Sequence, residues 1–282
     1  MKMRMSERLL RMLEFFHVNM PWQHMPRHFE MIVSRRMNVE IGFDAASLDR
    51  VTRSELRTVA GRLDAAGCRT TIHGPFWDLN PGSIDPLIRQ VSRCRFQQLF
   101  DAAGVFEPLQ VVVHTGFDPR HHSGHREAWL ANSLASWEPL VERAEKMRIP
   151  LLLENVWEHG PDLHRTLLDK IGSPFFGFCL DVGHQHSFSS SPLSSWLESL
   201  SGYLREIHLH DNDGRGDSHL PVGRGNIDFE SLFEYLGRNK IRPLLTLEPH
   251  REEHLAESLA GLEKAAGDYL KDHPAGAGSV AF

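Results

Sequence analysis

The sequence predicts an α/β protein folded as a single-domain (β/α)8 barrel. Three observations lead there: eight short β-rich runs alternate with longer amphipathic segments, no Pro/Gly/Ser-rich linker divides the chain, and nearly every run carries a histidine or carboxylate at or near its end. Eight units in 282 residues average about 35 residues each, the size of a βα repeat closing into a barrel. An open doubly wound sheet usually stops at fewer strands, and its GxGxxG turn is missing. The barrel is expected over 1–270, and the tail 271–282, ending in HPAGAGSVAF, is expected to be disordered.

The first run, 14–18 (EFFHV), is aromatic and carries His17 near its end. The second, 39–43 (VEIGF), sets apolar residues around Glu40 and precedes the amphipathic segment 53–66. The third, 70–73 (TTIH), closes on His73 and leads into 86–103; the fourth, 110–114 (QVVVH), closes on His114 ahead of 126–147. The fifth, 151–154 (LLLE), closes on Glu154 before 162–171. Asp181 and His184 follow the sixth, 176–180, ahead of 192–201. The seventh, 206–210 (EIHLH), holds His208 and His210, which share a face because strand side chains repeat every two residues. It is followed by 228–238, and the eighth, 244–248, closes on Glu248 before 252–270.

Composition narrows the function classes. With 41% hydrophobic and 24% charged residues the chain can bury a large core and is not a disordered one. Cys68, Cys94 and Cys179 form no CxxC pair, so neither a disulfide framework nor a thiolate zinc site is expected, and a reducing cytoplasm is the expected compartment. The apolar runs fall short of a membrane span, and the charged start MKMRMSERLLRMLEFF reads as no export signal. Thirty-one basic against 37 acidic residues, with no basic block, leave nucleic acid without an electrostatic footprint.

The 18 histidines are the unusual component. In a (β/α)8 barrel the C-terminal strand ends converge on one mouth, so imidazoles and carboxylates remote in sequence meet there. Packed together they would be costly to desolvate without compensating charge, which a divalent cation supplies. Nitrogen and oxygen donors without thiolate suit zinc, manganese, iron or cobalt.

The segments TIHGPFWDLNPG, VVVHTG, LLLENVW, FCLDVGH, EIHLHDNDGRGDSHLPVGRGNIDF and LTLEPH resemble the xylose isomerase-like TIM-barrel superfamily, which joins sugar (phosphate) isomerases and epimerases to the endonuclease IV enzymes. The resemblance runs from the third strand to the eighth and is most specific over 207–229. It implies Glu154, Asp181, His208 and Glu248 as the four ligands of a single-metal isomerase or epimerase. It equally supplies counterparts for the nine ligands of trinuclear endonuclease IV. His73, His114 and a bridging Glu154 would hold one ion; Glu154, Asp181, His208 and Glu248 a second; His184, Asp217 and His219 a third. The segment NVWEHGPDL departs from the endonuclease, whose DNA-clasping loops find no match.

The function expected is isomerisation or epimerisation of a small sugar or sugar phosphate, using one to three divalent ions, with Glu154 and Glu248 exchanging a proton next to a carbonyl. An endonuclease IV-like trinuclear zinc phosphoesterase acting on abasic DNA or another phosphodiester is the alternative, and only under it is nucleic acid a partner. A third reading is a barrel that binds a sugar or nucleotide without catalysis. No membrane partner is expected, and the sequence does not set the oligomeric state. His210 is expected to support a ligand. Arg215 and Arg224, in the loop after the seventh strand, are candidates for holding a substrate phosphate, although solvated loop arginines are the commoner case. Trp22, His24, Trp77 and Trp157 fall in loops at the mouth, where an aromatic wall can pack on a sugar ring. His121, His122 and His125 have no matching motif and are left outside the site.

Overall fold

A computed structural model describes residues 7–271. Eight parallel strands close into a barrel in chain order: β1 (His17–Pro21), β2 (Asn38–Gly42), β3 (Thr70–His73), β4 (Val111–His114), β5 (Leu151–Glu154), β6 (Phe176–Asp181), β7 (Leu204–Leu209) and β8 (Leu244–Leu247). Closure comes from β1, which pairs with β2 on one side and with β8 on the other, His17 opposite Thr246.

Alternation along the strands sorts the side chains into two compartments. Ile41, Ile72, Val113, Leu153, Leu180, Ile207 and Leu247 belong to the continuous apolar core that also takes in the surrounding helices. The intervening positions meet in the lumen, where Val112, Leu152 and Cys179 form a small separate cluster. Around it lie buried Glu40, Thr71, Gln110, Glu206, His208 and Thr246. Barrel interiors are usually filled by bulky apolar side chains; this lumen is polar, and its chemistry continues upward into the mouth.

The helices have local reasons to start where they do. Before Arg53–Ala65, Thr52 Oγ1 accepts from the Glu55 N–H at 3.2 Å while Glu55 Oε2 accepts from the Thr52 N–H at 2.8 Å. Pro86–Phe106 opens on proline behind Asp85, whose Oδ1 accepts from the Leu87 N–H at 2.8 Å. Asp181 ends β6 and caps the helix Val182–Phe188, with Oδ1 2.6 Å from the His184 nitrogen.

Two expectations move. The first strand runs from His17 to Pro21 and not over 14–18, because Leu13–Phe15 takes a 3-10 turn. His17 therefore opens β1 at the end of the barrel away from the mouth, where burial and then Arg69 push its imidazole down to about 3. A helix not read from the sequence, Met25–Arg35, follows β1 and buries Met25, Phe29 and Ile32 at helical spacing. Its remaining positions are largely charged or polar, which dilutes the apolar stripe. Of the tail expected at 271–282, only Lys271 is described, as the end of the helix Glu252–Lys271; the rest lies outside the described residues.

The long loop after β7 is organised by one carboxylate. Buried Asp211 accepts from the backbone N–H groups of Asn212 at 2.9 Å, Gly223 at 2.9 Å, Gly225 at 2.8 Å and Ile227 at 3.2 Å. Its own backbone pairs with Leu220 in both directions, at 2.8 and 2.7 Å. Gly225 passes so close that a Cβ there would lie 2.2 Å from the Asn212 carbonyl oxygen. The HDN and VGRGN segments are thus the two ends of one clamp, and Asp217 and His219 ride on the loop between them. Asp211→Ala leaves four N–H groups without their acceptor and should cost about 2–4 kcal/mol of unfolding free energy in urea. A change below about 0.5 kcal/mol would contradict this account of the loop.

Candidate metal centre

Nine side chains from six strand ends and one loop form a continuous cluster at the mouth. β3 and β4 present His73 and His114, whose rings meet edge to face at 5.1 Å. Their Nε2 atoms lie 2.9 and 3.2 Å from the same oxygen, Glu154 Oε2. The other oxygen, Oε1, lies 3.2 Å from His184 Nδ1 and 3.4 Å from His208 Nδ1. His208 Nδ1 also lies 3.4 Å from Glu248 Oε1 and 3.9 Å from Asp181 Oδ2. On the outer side, His184 Nε2 and His219 Nε2 approach Asp217 Oδ2 at 3.3 and 3.1 Å.

Hydrogen bonds aim most of these rings. His73 Nδ1 faces the Gly74 carbonyl at 2.9 Å, His184 Nδ1 the Asn155 carbonyl at 3.0 Å and His219 Nδ1 the Glu248 carbonyl at 3.3 Å. Each carbonyl can only accept, so Nδ1 carries a proton toward it and Nε2 is the ring atom turned to the cluster. His208 is reversed: Nε2 lies 3.3 Å from Glu40 Oε2, and Nδ1, buried, has no hydrogen-bond partner. A buried imidazole nitrogen without a partner, ringed by three carboxylates, is a donor atom suited to a cation. Among the described residues five overlapping groups have the proximity to hold an ion: His73–Glu154–His208, Glu40–His208–Glu248, Glu154–Asp181–His184, Asp181–His210–Glu248 and His184–His210–Asp217–His219.

The electrostatics are those of tightly coupled opposite charges. Burial alone would depress His73, but the Glu154 carboxylate it bonds, with Glu40 beyond, pushes it up to about 9. His114, on the same oxygen, is lowered, because burial and the positive His73 outweigh Glu154. Burial opposes the ionised form of Glu154, yet His114, His208 and His184 hold it well below the usual carboxylate range. His208 is raised well above the imidazole range against its burial, by Cys179, Glu40, Glu154 and Glu248. His219 is pushed up to about 9, burial being outweighed by Asp217 and Glu248. One layer down, burial and the neighbouring Glu40 charge raise Glu206 to about 7.

The remaining candidates fall into place around this cluster. His210 Nε2 lies 3.1 Å from both oxygens of Asp181, where it holds that carboxylate. Its ring lies on Gly183, where a Cβ would come within 1.9 Å of His210 Cε1, so the glycine of DVGH is required by the histidine of HLHDN. Glu40, the carboxylate carried by the second run, sits lower, beneath His208. Phe76 stacks on His114 at 4.7 Å and is flanked by Trp77, which is 76% exposed. Trp157 packs on Phe188 at 4.3 Å under the Arg120 guanidinium at 5.0 Å. Trp22 instead stacks on Phe43 at 5.1 Å. Arg215 pairs with Asp213 at 2.5 Å and Arg224 with Glu257 at 2.9 Å, so both guanidiniums are engaged by neighbouring carboxylates. Sequence reasoning passed over His250, which stacks on His219 at 3.7 Å as His219 stacks on His210 at 3.8 Å. Its position two residues beyond Glu248 in LTLEPH was the available signal.

A family model described as xylose isomerase-like TIM barrel matches residues 38–268. The chain belongs to the xylose isomerase-like TIM barrel family. It is 30% identical over 172 residues to the uncharacterized protein MJ1311 of Methanocaldococcus jannaschii, covering 58% of this chain and 59% of that one. It is 28% identical over 189 residues to the probable endonuclease 4 of Mycobacterium leprae, covering 63% and 72%. The chain spans only 59% and 63% of the length of the first two curated relatives it matches. Among solved structures of this barrel, the TTHB071 protein from Thermus thermophilus, soaked with zinc chloride, is 26% identical with a TM-score of 0.77, covering 90% of this chain and 98% of that one. A D-tagatose 3-epimerase-like protein gives a TM-score of 0.76 at 22% identity, covering 91% and 97%, a likeness of fold. As in the sequence, no helix among the described residues is long and apolar enough to cross a membrane.

With His73 and His219 each pushed up to about 9, both carry a proton at pH 7 that a cation bound there would displace. Zinc added at pH 7 should release protons, and its affinity should rise as the pH is taken from 7 toward 9. Calorimetry in buffers of different protonation enthalpy measures both; an affinity independent of pH over this range would contradict the assignment.

Proposed function

We propose that this chain is a divalent-metal-dependent hydrolase of phosphoesters with a multinuclear centre. One observation carries the reading: one oxygen of Glu154 faces Nε2 of both His73 and His114, and the other faces His208 Nδ1. A carboxylate so placed would bridge two ions, and His184, Asp217 and His219 would hold a third beside them. Three of the nine positions would suffice to bind an ion; nine arranged around a bridge fit a set of ions. Ions held there would acidify water and neutralise the charge of a phosphodiester undergoing in-line displacement. The likeness in sequence to probable endonuclease 4 proteins supports the same chemistry, whereas the likeness to epimerases lies in the fold.

In this reading His73, His114, Glu154, Asp181, His184, His208, Asp217, His219 and Glu248 are the ligands. His210 holds Asp181 in place. The exposed Trp77 and Trp157 flank the mouth and pack on a ring of the substrate. Zinc suits the nitrogen-rich donor set, with manganese, cobalt and iron as the other candidates.

A second reading has an observation of its own. Glu154 and Glu248 approach the same atom, His208 Nδ1, at 3.4 Å from β5 and from the end of β8. Two carboxylates reaching one point of the mouth from different strands suit the transfer of a proton to and from a carbon beside a carbonyl, as in epimerisation of a small sugar or sugar phosphate.

Elemental analysis of protein purified without chelator or metal-affinity resin should give about three ions per chain. The loaded protein should cleave an artificial phosphodiester or an abasic-site oligonucleotide. His219→Ala should lower that turnover by about 100-fold or more, since the residue belongs to the outermost group. About one ion per chain, with His219→Ala fully active on a ketose, would establish the epimerase reading instead. Trp77→Ala should raise KM by about 2–12-fold while leaving kcat near wild type; an unchanged KM would remove Trp77 from the substrate wall.

A further inference from the structure

Three imidazoles of the centre give their ring proton to main-chain carbonyls, those of Gly74, Asn155 and Glu248. His208 differs. Its Nε2 faces Glu40 Oε2 at 3.3 Å across the lumen from β2, and both side chains are wholly buried. Glu40 is itself held, since Asn19 Nδ2 donates to its other oxygen at 2.9 Å. The second lumen carboxylate, Glu206, is 3.9 Å from His208 Nε2 and is engaged by Gln110 Nε2 at 2.6 Å and by Thr246 Oγ1. Of the two lumen carboxylates, Glu40 is therefore the one within hydrogen-bond reach of that ring proton.

We propose that Glu40 is a positioning residue of the metal centre: by accepting the Nε2–H of His208 it fixes the tautomer whose Nδ1 lone pair faces Glu154, Asp181 and Glu248, and so sets the affinity for the ion at that position. The inference rests on reading the cluster as a metal centre. A carbonyl orients a ring, whereas a buried carboxylate also strengthens the imidazole as a donor, so the His208 position becomes the tightest of the set. Glu40 acts through His208: its Oε2 faces Nε2, while Glu154, Asp181 and Glu248 lie at Nδ1. Glu40→Gln tests the role without changing shape. Asn19 keeps the amide oxygen on its side, which turns the amide NH2 toward His208 Nε2. That arrangement favours the proton on Nδ1, where it blocks the donor atom.

The experiment compares metal-free wild type, Glu40→Gln and Glu206→Gln, titrating each with zinc against a chromophoric chelator and recording the visible spectrum with cobalt(II). Glu40→Gln should weaken one zinc by about 10–100-fold and alter the cobalt spectrum, while Glu206→Gln keeps the wild-type affinities and spectrum. Wild-type affinity and spectrum in Glu40→Gln, or equal weakening in both variants, would overturn the proposal. A wild type that takes up no zinc would overturn the metal-centre reading and this inference with it, a result distinct from failure of Glu40→Gln alone. Should Glu40→Gln not fold, long-range 1H–15N spectra of histidine-labelled, zinc-loaded wild type decide: His208 protonated on Nε2 supports the proposal, and protonation on Nδ1 overturns it.

Discussion

Glu154 is a wholly buried carboxylate approached by four imidazoles, from His73 and His114 at one oxygen and His184 and His208 at the other. Such a group is expensive to bury unless positive charge surrounds it. Everything around it follows from meeting that demand. β3, β4, β6 and β7 each end where they can direct an imidazole at β5, and Asp181, Asp217 and Glu248 in turn compensate those imidazoles. Removing Glu154 would leave four coupled nitrogens facing one another, so the centre stands or falls as a unit.

The barrel makes this arrangement possible through strand parity. With period two, β7 sends Glu206 and His208 into the lumen and Ile207 and Leu209 into the helical shell. Registers of β5, β6 and β7 set Glu154 beside Cys179 and Asp181 beside His208, so the polar side chains of adjacent strands arrive at nearby heights. The β7 loop completes the set by a different device, the Asp211 clamp. That clamp returns the chain over the mouth and holds His219 in a left-handed backbone conformation, at φ 44°. The inner side chains of the cluster are thus fixed by the sheet and the outer ones by a loop.

Much of this was legible in the sequence because strand ends carry their own signature. TTIH, QVVVH and LLLE each stop on the residue that reaches the cluster, and the alternation in EIHLH places His208 and His210 on one face. What escaped has physical causes. The first strand slid by three residues because EFFHV reads as a strand as readily as the true HVNMP, and only the 3-10 turn at Leu13–Phe15 decides between them. Depth along a strand is not written in composition: Glu40 looks like any other carboxylate at the mouth until its pairing with Asn19 and Thr71 shows it one layer down. His250 contacts the cluster through a ring stack made after β8 has ended, which periodicity within a strand does not reach.

A bridging Glu154 would organise several ions at the barrel mouth. Anomalous diffraction at the zinc edge, on crystals of zinc-loaded protein, measures it directly. The account predicts separate peaks on either side of Glu154, one within about 2.0–2.3 Å of His73 and His114 nitrogens and one at the same distance from His208 Nδ1, with a third beside His184 and His219. A single peak confined to Glu154, Asp181, His208 and Glu248, with His73, His114 and His219 still bonded only to protein, would contradict it.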